Sequence, residues 1–209
     1  MRIIVTRPRE QAAPLVERLQ ALGHEVEVCP LIAIEPTGPE ELDVSGYDWV
    51  VVTSANAARE LAGRMRGRPE RTAAIGSATA AALPFEPDLV PKVSTQEGLL
   101  AELPRPAGRV LFAGAEGARR LLVDELGADF VPLYRTDELR PDCFPDGDLV
   151  VLASASAARA YAALGHAVPV VSIGPETTAE AERAGLSVAA EAGTHDLDGL
   201  VDAVGKATS

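Results

Sequence analysis

Short apolar runs alternate with amphipathic stretches along almost the whole chain. The apolar runs predict strands, most of them continuously apolar, as expected where both faces of a sheet are covered. These predicted strands are residues 3–5, 25–28, 49–52, 72–75, 88–90, 108–114, 129–131, 148–152, 169–173 and 186–189. Between them, apolar residues recur at helical spacing, as Leu197, Leu200, Val201 and Val204 do in the last predicted helix. Such alternation predicts the α/β class, with parallel sheets that carry helices on both faces.

A ten-residue segment occurs twice. Residues 50–59 read VVVTSANAAR and residues 150–159 read VVLASASAAR, identical at seven positions. A second pair follows at nearly the same distance: AAIGSATAAAL (73–83) and VSIGPETTAEA (171–181) share an Ile-Gly and a Thr three residues after the Gly. Each repeat leads from a strand into a helix. The chain is therefore predicted to hold two similar α/β units, and its repeated residues lie where parallel α/β sheets bind ligands.

Two polar connectors interrupt the alternation at equivalent places, one after Pro30-Leu31 and one after Pro132-Leu133. They allow two arrangements of the units. Each half of the chain could close on itself, or the chain could cross over at each connector, so that the first βαβ segment joins the last part of the sequence. The hydrophobic periodicity does not choose between these arrangements.

Charge and composition exclude some classes of function. The net charge of −12 over 209 residues argues against a general nucleic-acid-binding protein, which would carry a basic face. No run of about 18 apolar residues occurs, so no membrane span is expected. The sequence enters a strand, MRIIV, without an apolar leader, and its two cysteines are isolated, which indicates the cytoplasm. The cysteines and histidines lack the spacing of metal ligands, so no metal is expected.

The first candidate binding residues lie where predicted strands give way to helices. Free N–H groups and the positive end of the helix dipole make a helix start a site for anions. The alternative is plain N-capping, for which Ser is a preferred residue. The junction residues are Ser54, Gly76, Ser77, Ser154 and Gly174.

Further polar residues near these junctions are candidates as well. Thr79 and Thr177 lie in the first turn of their helices, where a hydroxyl either contacts a carboxylate or bonds backward to the helix. Arg7 follows the first strand and is either a bidentate carboxylate clamp or a solvated side chain. Tyr134 is either an acid or polar contact in a cleft, or an aromatic packed beside a strand.

Familiar catalytic motifs do not occur in the sequence. It contains no GxxxxGK[ST] loop, no complete GxGxxG turn and no GxSxG elbow. It also offers no evident nucleophile and no carboxylate pair. Nucleotide binding and hydrolysis by an activated serine are therefore not predicted.

Six short segments, spread in order over nearly the whole chain, carry a resemblance to a known family. They are VTRP (5–8), YDWVVVTSANA (47–57), AAIGSATA (73–80), STQEGLL (94–100), PLYRT (132–136) and SIGPETTAEA (172–181). Together they resemble the uroporphyrinogen-III synthase family of tetrapyrrole biosynthesis. The resemblance implies two α/β domains joined by two extended connectors at which the chain crosses over. The first domain would be discontinuous, 1–34 with 139–209, the second would be 35–138, and a cleft would lie between them.

The resemblance also implies a reaction. The family cyclises hydroxymethylbilane, a linear tetrapyrrole with eight carboxylates, to uroporphyrinogen III and water on the pathway to haem. The hydroxyl group leaves, the substituted carbon of ring D attacks, and a spiro intermediate fragments and recloses with ring D inverted. Without an enzyme the substrate closes to the wrong isomer. Such an enzyme is a lyase that is usually monomeric, and no cofactor is implied.

Particular residues receive roles through the same resemblance. Tyr134 would be the active-site tyrosine that assists departure of the hydroxyl group. Thr79, Ser154 and Thr177 would line the cleft, and Ser54 would match the family's strand-end Ser in the first copy of the repeat. The alternative is a non-catalytic protein with two α/β domains that binds a tetrapyrrole or a small anion as a sensor or regulatory module. Turnover distinguishes the two, because a sensor would leave the isomer distribution of the product unchanged.

Overall fold

The computed structural model describes residues 1–208, which form alternating strands and helices. The strands are β1 (Arg2–Val5), β2 (Glu25–Val28), β3 (Ile32–Pro36), β4 (Leu42–Asp43), β5 (Trp49–Val52), β6 (Met65–Arg66), β7 (Arg71–Ala74), β8 (Val110–Ala115), β9 (Asp129–Glu138), β10 (Leu149–Leu152), β11 (Val170–Ser172) and β12 (Val188–Glu191). The helices are α1 (Arg9–Ala21), α2 (Ala55–Arg64), α3 (Ser77–Ala80), α4 (Gln96–Glu102), α5 (Leu121–Leu126), α6 (Ala155–Ala162), α7 (Pro175–Arg183) and α8 (Leu197–Ala207). This order confirms the predicted α/β class.

The chain divides into two compact units. The first unit holds Met1–Ala33 together with the chain from Asp137 onward, and the second unit holds Ile34–Thr136. The chain passes from one unit to the other inside β3 and again inside β9. The first unit is therefore built from both ends of the sequence.

The first unit is a parallel five-stranded sheet in the order β12-β11-β10-β1-β2. Successive residues of each strand face opposite sides, so Ile3 and Ile4 belong to different apolar clusters. On one face the strands pack against α6 and α7 through residues such as Tyr161 and Ala181. On the other face they pack against α1 and α8. Because both faces are covered, β1 and β10 are apolar throughout their buried positions.

The second unit repeats this design around a sheet in the order β3-β9-β8-β5-β7. Strands β5, β7, β8 and β9 are parallel. Val50 and Val52 pack against α2, whereas Trp49 and Val51 face the opposite cluster, which includes residues of α4 and α5. A small parallel pair, β4 with β6, lies beside this sheet.

Two predicted details of the fold were wrong. Residues 88–90 form a single bridge, between Leu89 and Ala73, instead of a strand, because Pro87 and Pro91 bracket the segment and proline cannot donate to a ladder. The start of the first connector is strand β3, and β9 extends into the second connector as far as Glu138. The turn-forming residues around these segments hid their strand periodicity.

None of the helices in residues 1–208 combines the length and the apolar character needed to cross a membrane.

Candidate active site

The repeated junctions lie at the carboxyl edge of each sheet. In the second unit, Val52 is level with Ala74 on one side and Ala113 on the other, so the three strands β5, β7 and β8 reach the same edge. Ser54 and Gly76 follow directly. In the first unit, the pairing of β1, β10 and β11 places Arg7, Ser154 and Gly174 just beyond the corresponding edge.

Ser54 and Ser154 have the same local structure. Each has an extended backbone, and the Oγ of each accepts a hydrogen bond of 3.1 Å from the N–H three residues on, that of Ala57 or Ala157. Both serines therefore cap their helices, α2 and α6, as the capping interpretation predicted. Capping accounts for one hydrogen bond of each serine.

Ser54 has a second hydrogen-bonding partner, which is distant in the sequence. Its Oγ lies 3.0 Å from Oη of Tyr134, which projects from β9. Tyr134 is only 6% exposed, and the side chain of Asn56 also hydrogen-bonds its hydroxyl group. In the first unit, the residue that matches Tyr134 after Pro30-Leu31 is Ile32, which has no hydroxyl group. The structure thus joins two predicted site residues, Ser54 and Tyr134, in one hydrogen-bonded group.

The surroundings of Tyr134 keep its hydroxyl group protonated at neutral pH. Burial raises the pKa of Tyr134 above its ordinary value, because a phenolate would lose its hydration. Hydrogen bonds from Ser54 and Asn56 act in the opposite direction, since they stabilise the phenolate, but they do not outweigh the burial. The group is therefore a neutral proton donor whose conjugate base has two hydrogen-bonding partners in place.

The second pair of junctions is also closely matched. Gly76 and Gly174 are the N-cap residues of α3 and α7 and have extended backbones. A Cβ on Gly76 would lie 2.9 Å from Oγ of Ser94, and a Cβ on Gly174 would lie 2.6 Å from Cδ2 of His195. A side chain at either position would therefore have to displace its neighbour, Ser94 or His195.

The remaining predicted residues occupy these same turns. Thr79 and Thr177 are each 4% exposed, in the first turn of α3 and of α7, whereas Ser77 is exposed. Arg7 is half-buried before α1, and its Nη2 lies 3.5 Å from Oε1 of Gln11. The structure places Arg7, Ser154, Gly174 and Thr177 in the first unit and the other predicted residues in the second.

Asn56 is a polar neighbour of Tyr134 that the sequence reasoning missed. It belongs to the repeated segment, but its counterpart is Ser156, so the repeat did not mark it. Arg59 and Arg159 follow these residues by three positions, and each donates to its neighbour's side chain, Asn56 or Ser156. This shared arginine was the sequence signal that could have drawn attention to position 56.

Taken together, the second unit offers a buried neutral phenol, a serine hydroxyl and an amide at the carboxyl edge of its sheet. Among residues 1–208, no three His, Cys, Asp or Glu side chains gather as metal ligands would. The hydroxyl cluster is suited to donating a proton to a departing oxygen, and the helix starts are suited to binding carboxylates.

Relatives of known name share the sequence pattern. A putative uroporphyrinogen-III synthase of Archaeoglobus fulgidus is 36% identical over 149 residues, which cover 67% of this chain and 62% of that protein. The chain thus spans less than two thirds of that relative. The uroporphyrinogen-III synthase of Synechococcus elongatus is 26% identical over an alignment covering 97% of this chain and 93% of that protein.

The fold is also known from a crystal structure. A mutant uroporphyrinogen III synthase from the extremely thermophilic bacterium Thermus thermophilus aligns with 100% of this chain and 98% of its own, with a TM-score of 0.62 and 18% sequence identity. At that identity the likeness establishes the fold alone. The family model described as uroporphyrinogen-III synthase HemD matches residues 13–202, and this protein therefore belongs to the uroporphyrinogen-III synthase family.

Proposed function

We propose that the protein is a uroporphyrinogen-III synthase, a lyase that cyclises hydroxymethylbilane, inverts ring D and releases water. The observation that carries the proposal is the pairing of Ser54 with Tyr134 at the carboxyl edge of the second sheet, in a chain of this family. The pairing supplies a protonated, buried hydroxyl group at the place where parallel α/β sheets bind their ligands.

The first chemical step needs a proton for the leaving oxygen. As the pyrrole nitrogen pushes electrons toward the hydroxymethyl carbon, the C–O bond breaks, and Tyr134 donates its hydroxyl proton so that the oxygen leaves as water. The resulting tyrosinate faces the cationic azafulvene. When the macrocycle recloses, the ring carbon that forms the last bond loses one proton, and that proton restores Tyr134. Protons given and recovered are then equal, and no oxidant or reductant is required.

The substrate carries eight carboxylates, whereas the protein has a net charge of −12. Local donors must therefore hold the substrate, because the overall field repels it. We assign the binding of the substrate carboxylates to four kinds of group. They are the N-termini of α2 and α6, the backbone at Gly76 and Gly174, the hydroxyls of Thr79 and Thr177, and the guanidinium of Arg7.

Most of the catalytic effect in this proposal is conformational. The substrate closes by itself to the wrong isomer, so the protein must hold ring D in the geometry that leads to the spiro intermediate. Fixing such a geometry before reaction lowers the entropic part of the barrier. Few groups with strongly altered acidity are then needed, which agrees with the single buried phenol near the junctions.

We further propose that the enzyme acts as a monomer in the cytoplasm and does not bind nucleic acid. Cys29 and Cys143 are free thiols, as suits a reducing compartment. The exposed large apolar side chains are scattered along the described chain, at Met1, Leu22, Val90, Val93 and Leu139. The proposal rests on these features together with the acidic composition.

A coupled assay tests the function. Hydroxymethylbilane is generated in situ in the presence of the protein, the products are oxidised, and type I and type III uroporphyrins are separated by chromatography. A rise in type III that is proportional to added protein is the expected result. Type I alone, from protein shown to be folded by circular dichroism, would contradict it and would favour the alternative of a tetrapyrrole-binding regulatory module.

A further inference from the structure

A chain of side-chain hydrogen bonds leads from the surface of α2 to the buried hydroxyl of Tyr134. Nη1 of the exposed Arg59 donates to Oδ1 of Asn56 at 2.9 Å. The side chain of Asn56 in turn contacts the hydroxyl of Tyr134, which lies 3.0 Å from Oγ of Ser54. Ser54 is itself held by the N–H of Ala57 at 3.1 Å.

Arg59 fixes which end of the Asn56 amide faces the tyrosine. A guanidinium has donors and no acceptor, so the atom of Asn56 that it contacts must be the carbonyl oxygen. The other end of the amide, Nδ2, then has only N–H bonds to offer. The Asn56 contact lowers the pKa of Tyr134, as a donor to the phenolate does, and we therefore infer that Nδ2 donates to Oη of Tyr134.

We propose that Asn56, oriented by Arg59, is a positioning residue that stabilises the tyrosinate formed when Tyr134 gives its proton to the departing hydroxyl group. The proposal rests on the synthase activity proposed above. Charge-assisted hydrogen bonds are roughly twice as strong as neutral ones, so the Asn56 donor gains strength as Tyr134 becomes negative. A donor that binds the product of proton transfer better than the reactant lowers the barrier.

The internal repeat supports a specific role for position 56. The first unit has the same arginine–polar pair, in which Nη2 of Arg159 donates to Oγ of Ser156 at 3.1 Å. No tyrosine follows Pro30-Leu31, and a Ser is sufficient there. The longer amide is found in the copy that has Tyr134 within its reach. Both helices thus have an arginine that donates to the side chain three residues before it. Only in the unit that contains Tyr134 is that side chain an amide.

Asn56→Asp is the discriminating variant. Aspartate has nearly the same shape as asparagine, keeps an oxygen for Arg59 and is favourable in the first turn of a helix. It cannot donate to Tyr134 and instead accepts a hydrogen bond from the hydroxyl group of Tyr134. Ser156→Asp makes the same change beside Arg159 in the first unit and serves as the matched control, and Arg59→Ala releases the amide without removing it.

Two readouts are required. The ionisation of Tyr134 is followed by ¹³C NMR of protein labelled at the tyrosine Cζ, with Tyr134→Phe used to assign its signal among the three tyrosines. This measurement needs no substrate. The second readout is the rate of type III formation, separated into kcat and KM.

In Asn56→Asp we expect Tyr134 to ionise about one pH unit or more higher than in the parent protein, or not at all before unfolding. We expect kcat to fall about tenfold or more while the thermal unfolding temperature changes little. Arg59→Ala gives a smaller change in the same direction. Ser156→Asp leaves the Tyr134 titration as in the parent, and it shows how far a negative charge at a helix start assigned to carboxylates changes KM by itself.

The inference is overturned if the Tyr134 signal of Asn56→Asp coincides with that of the parent at every pH, or if kcat is unchanged. A parent protein that forms no type III product refutes the synthase function itself. The NMR measurement then still decides whether Asn56 donates to Tyr134, so the two failures are distinguishable.

Discussion

Oγ of Ser54 lies 3.0 Å from Oη of Tyr134, although the two residues are 80 positions apart in the sequence. The contact arises because β9 and β5 both neighbour β8 in the second sheet. Tyr134 lies at the end of the pairing between β9 and β8, opposite Ala115. Tyr134 belongs to the buried apolar cluster that also holds Val52 and Leu133, so its hydroxyl group can be removed while the ring stays packed.

Tyr134→Phe should lower kcat for type III formation while preserving the fold. The ring remains packed, and the loss of a hydrogen-bonded hydroxyl costs about 1 kcal/mol of unfolding free energy. Turnover and chemical denaturation check the two effects separately. Tyr161→Phe is a suitable control, because Tyr161 is fully buried and its hydroxyl donates to the carbonyl of Val168 away from the junctions. An unchanged rate and isomer ratio in Tyr134→Phe would remove Tyr134 from the mechanism.

Ser54→Ala and Ser154→Ala should each lose about 1 kcal/mol of stability through the N-cap hydrogen bond, which has the same length in both. Only Ser54→Ala also removes a partner of Tyr134. Its loss should raise the pKa of Tyr134 further, since a group that stabilises the phenolate is gone. Denaturant unfolding and tyrosine NMR of both variants test this difference. If the two variants gave the same Tyr134 titration, the Ser54 contact would be without effect on its acidity.

Local pattern was enough to predict the fold class and the capping serines. Continuous apolar runs identified the buried strands, and the repeat around Ser54 and Ser154 gave two junctions of equal geometry. These features depend on residues close in sequence. The roles assigned to the site residues stay predictions.

The contacts of Tyr134 could not be predicted from local pattern. They depend on strand order, which places β9 beside β8 and β8 beside β5, and hydrophobic periodicity carries no information on order. Asn56 was missed for the same reason, since its partner lies on a distant strand. Strand β3 was hidden because the prolines and glycines that follow it are typical of a connector.

The pair of Glu97 and Arg119 should make stability depend on acid. Arg119 contacts both oxygens of Glu97, at 2.7 and 3.2 Å, and chiefly this hydrogen bonding lowers the pKa of Glu97 from 4.5 to about 2. Because the folded state lowers this pKa, the stabilisation is present above pH 4.5 and is lost as the pH falls toward about 2.

Glu97→Gln should therefore flatten the fall of stability between pH 4.5 and about 2. Both side chains are more than half exposed, so the effect is small and decreases with added salt. Thermal unfolding across this pH range, with Arg119→Gln and the double variant, isolates the pair. Superimposable curves for the parent and Glu97→Gln at low salt would show that the pair contributes nothing.

Two glycines of α8 should respond oppositely to alanine. A Cβ on Gly199 would lie 2.1 Å from the carbonyl oxygen of Thr194, whereas nothing lies within 4 Å of a Cβ on Gly205. Gly199→Ala should cost about 1–3 kcal/mol of unfolding free energy through overpacking. Gly205→Ala should gain about 0.5–1 kcal/mol, because alanine restricts the unfolded chain and suits a helix.

The cost at Gly199 should extend to the junction at α7. The carbonyl of Thr194 precedes His195, whose ring lies against Gly174 at the start of that helix. Displacing Thr194 therefore moves the His195 ring that lies against Gly174, a position assigned to carboxylate binding, and we expect KM to rise in Gly199→Ala. Gly205→Ala, in the same helix, should leave KM unchanged. Denaturant unfolding and steady-state kinetics of the two variants decide the matter, and equal stability of the two would show that α8 shifts to admit the new methyl group without strain.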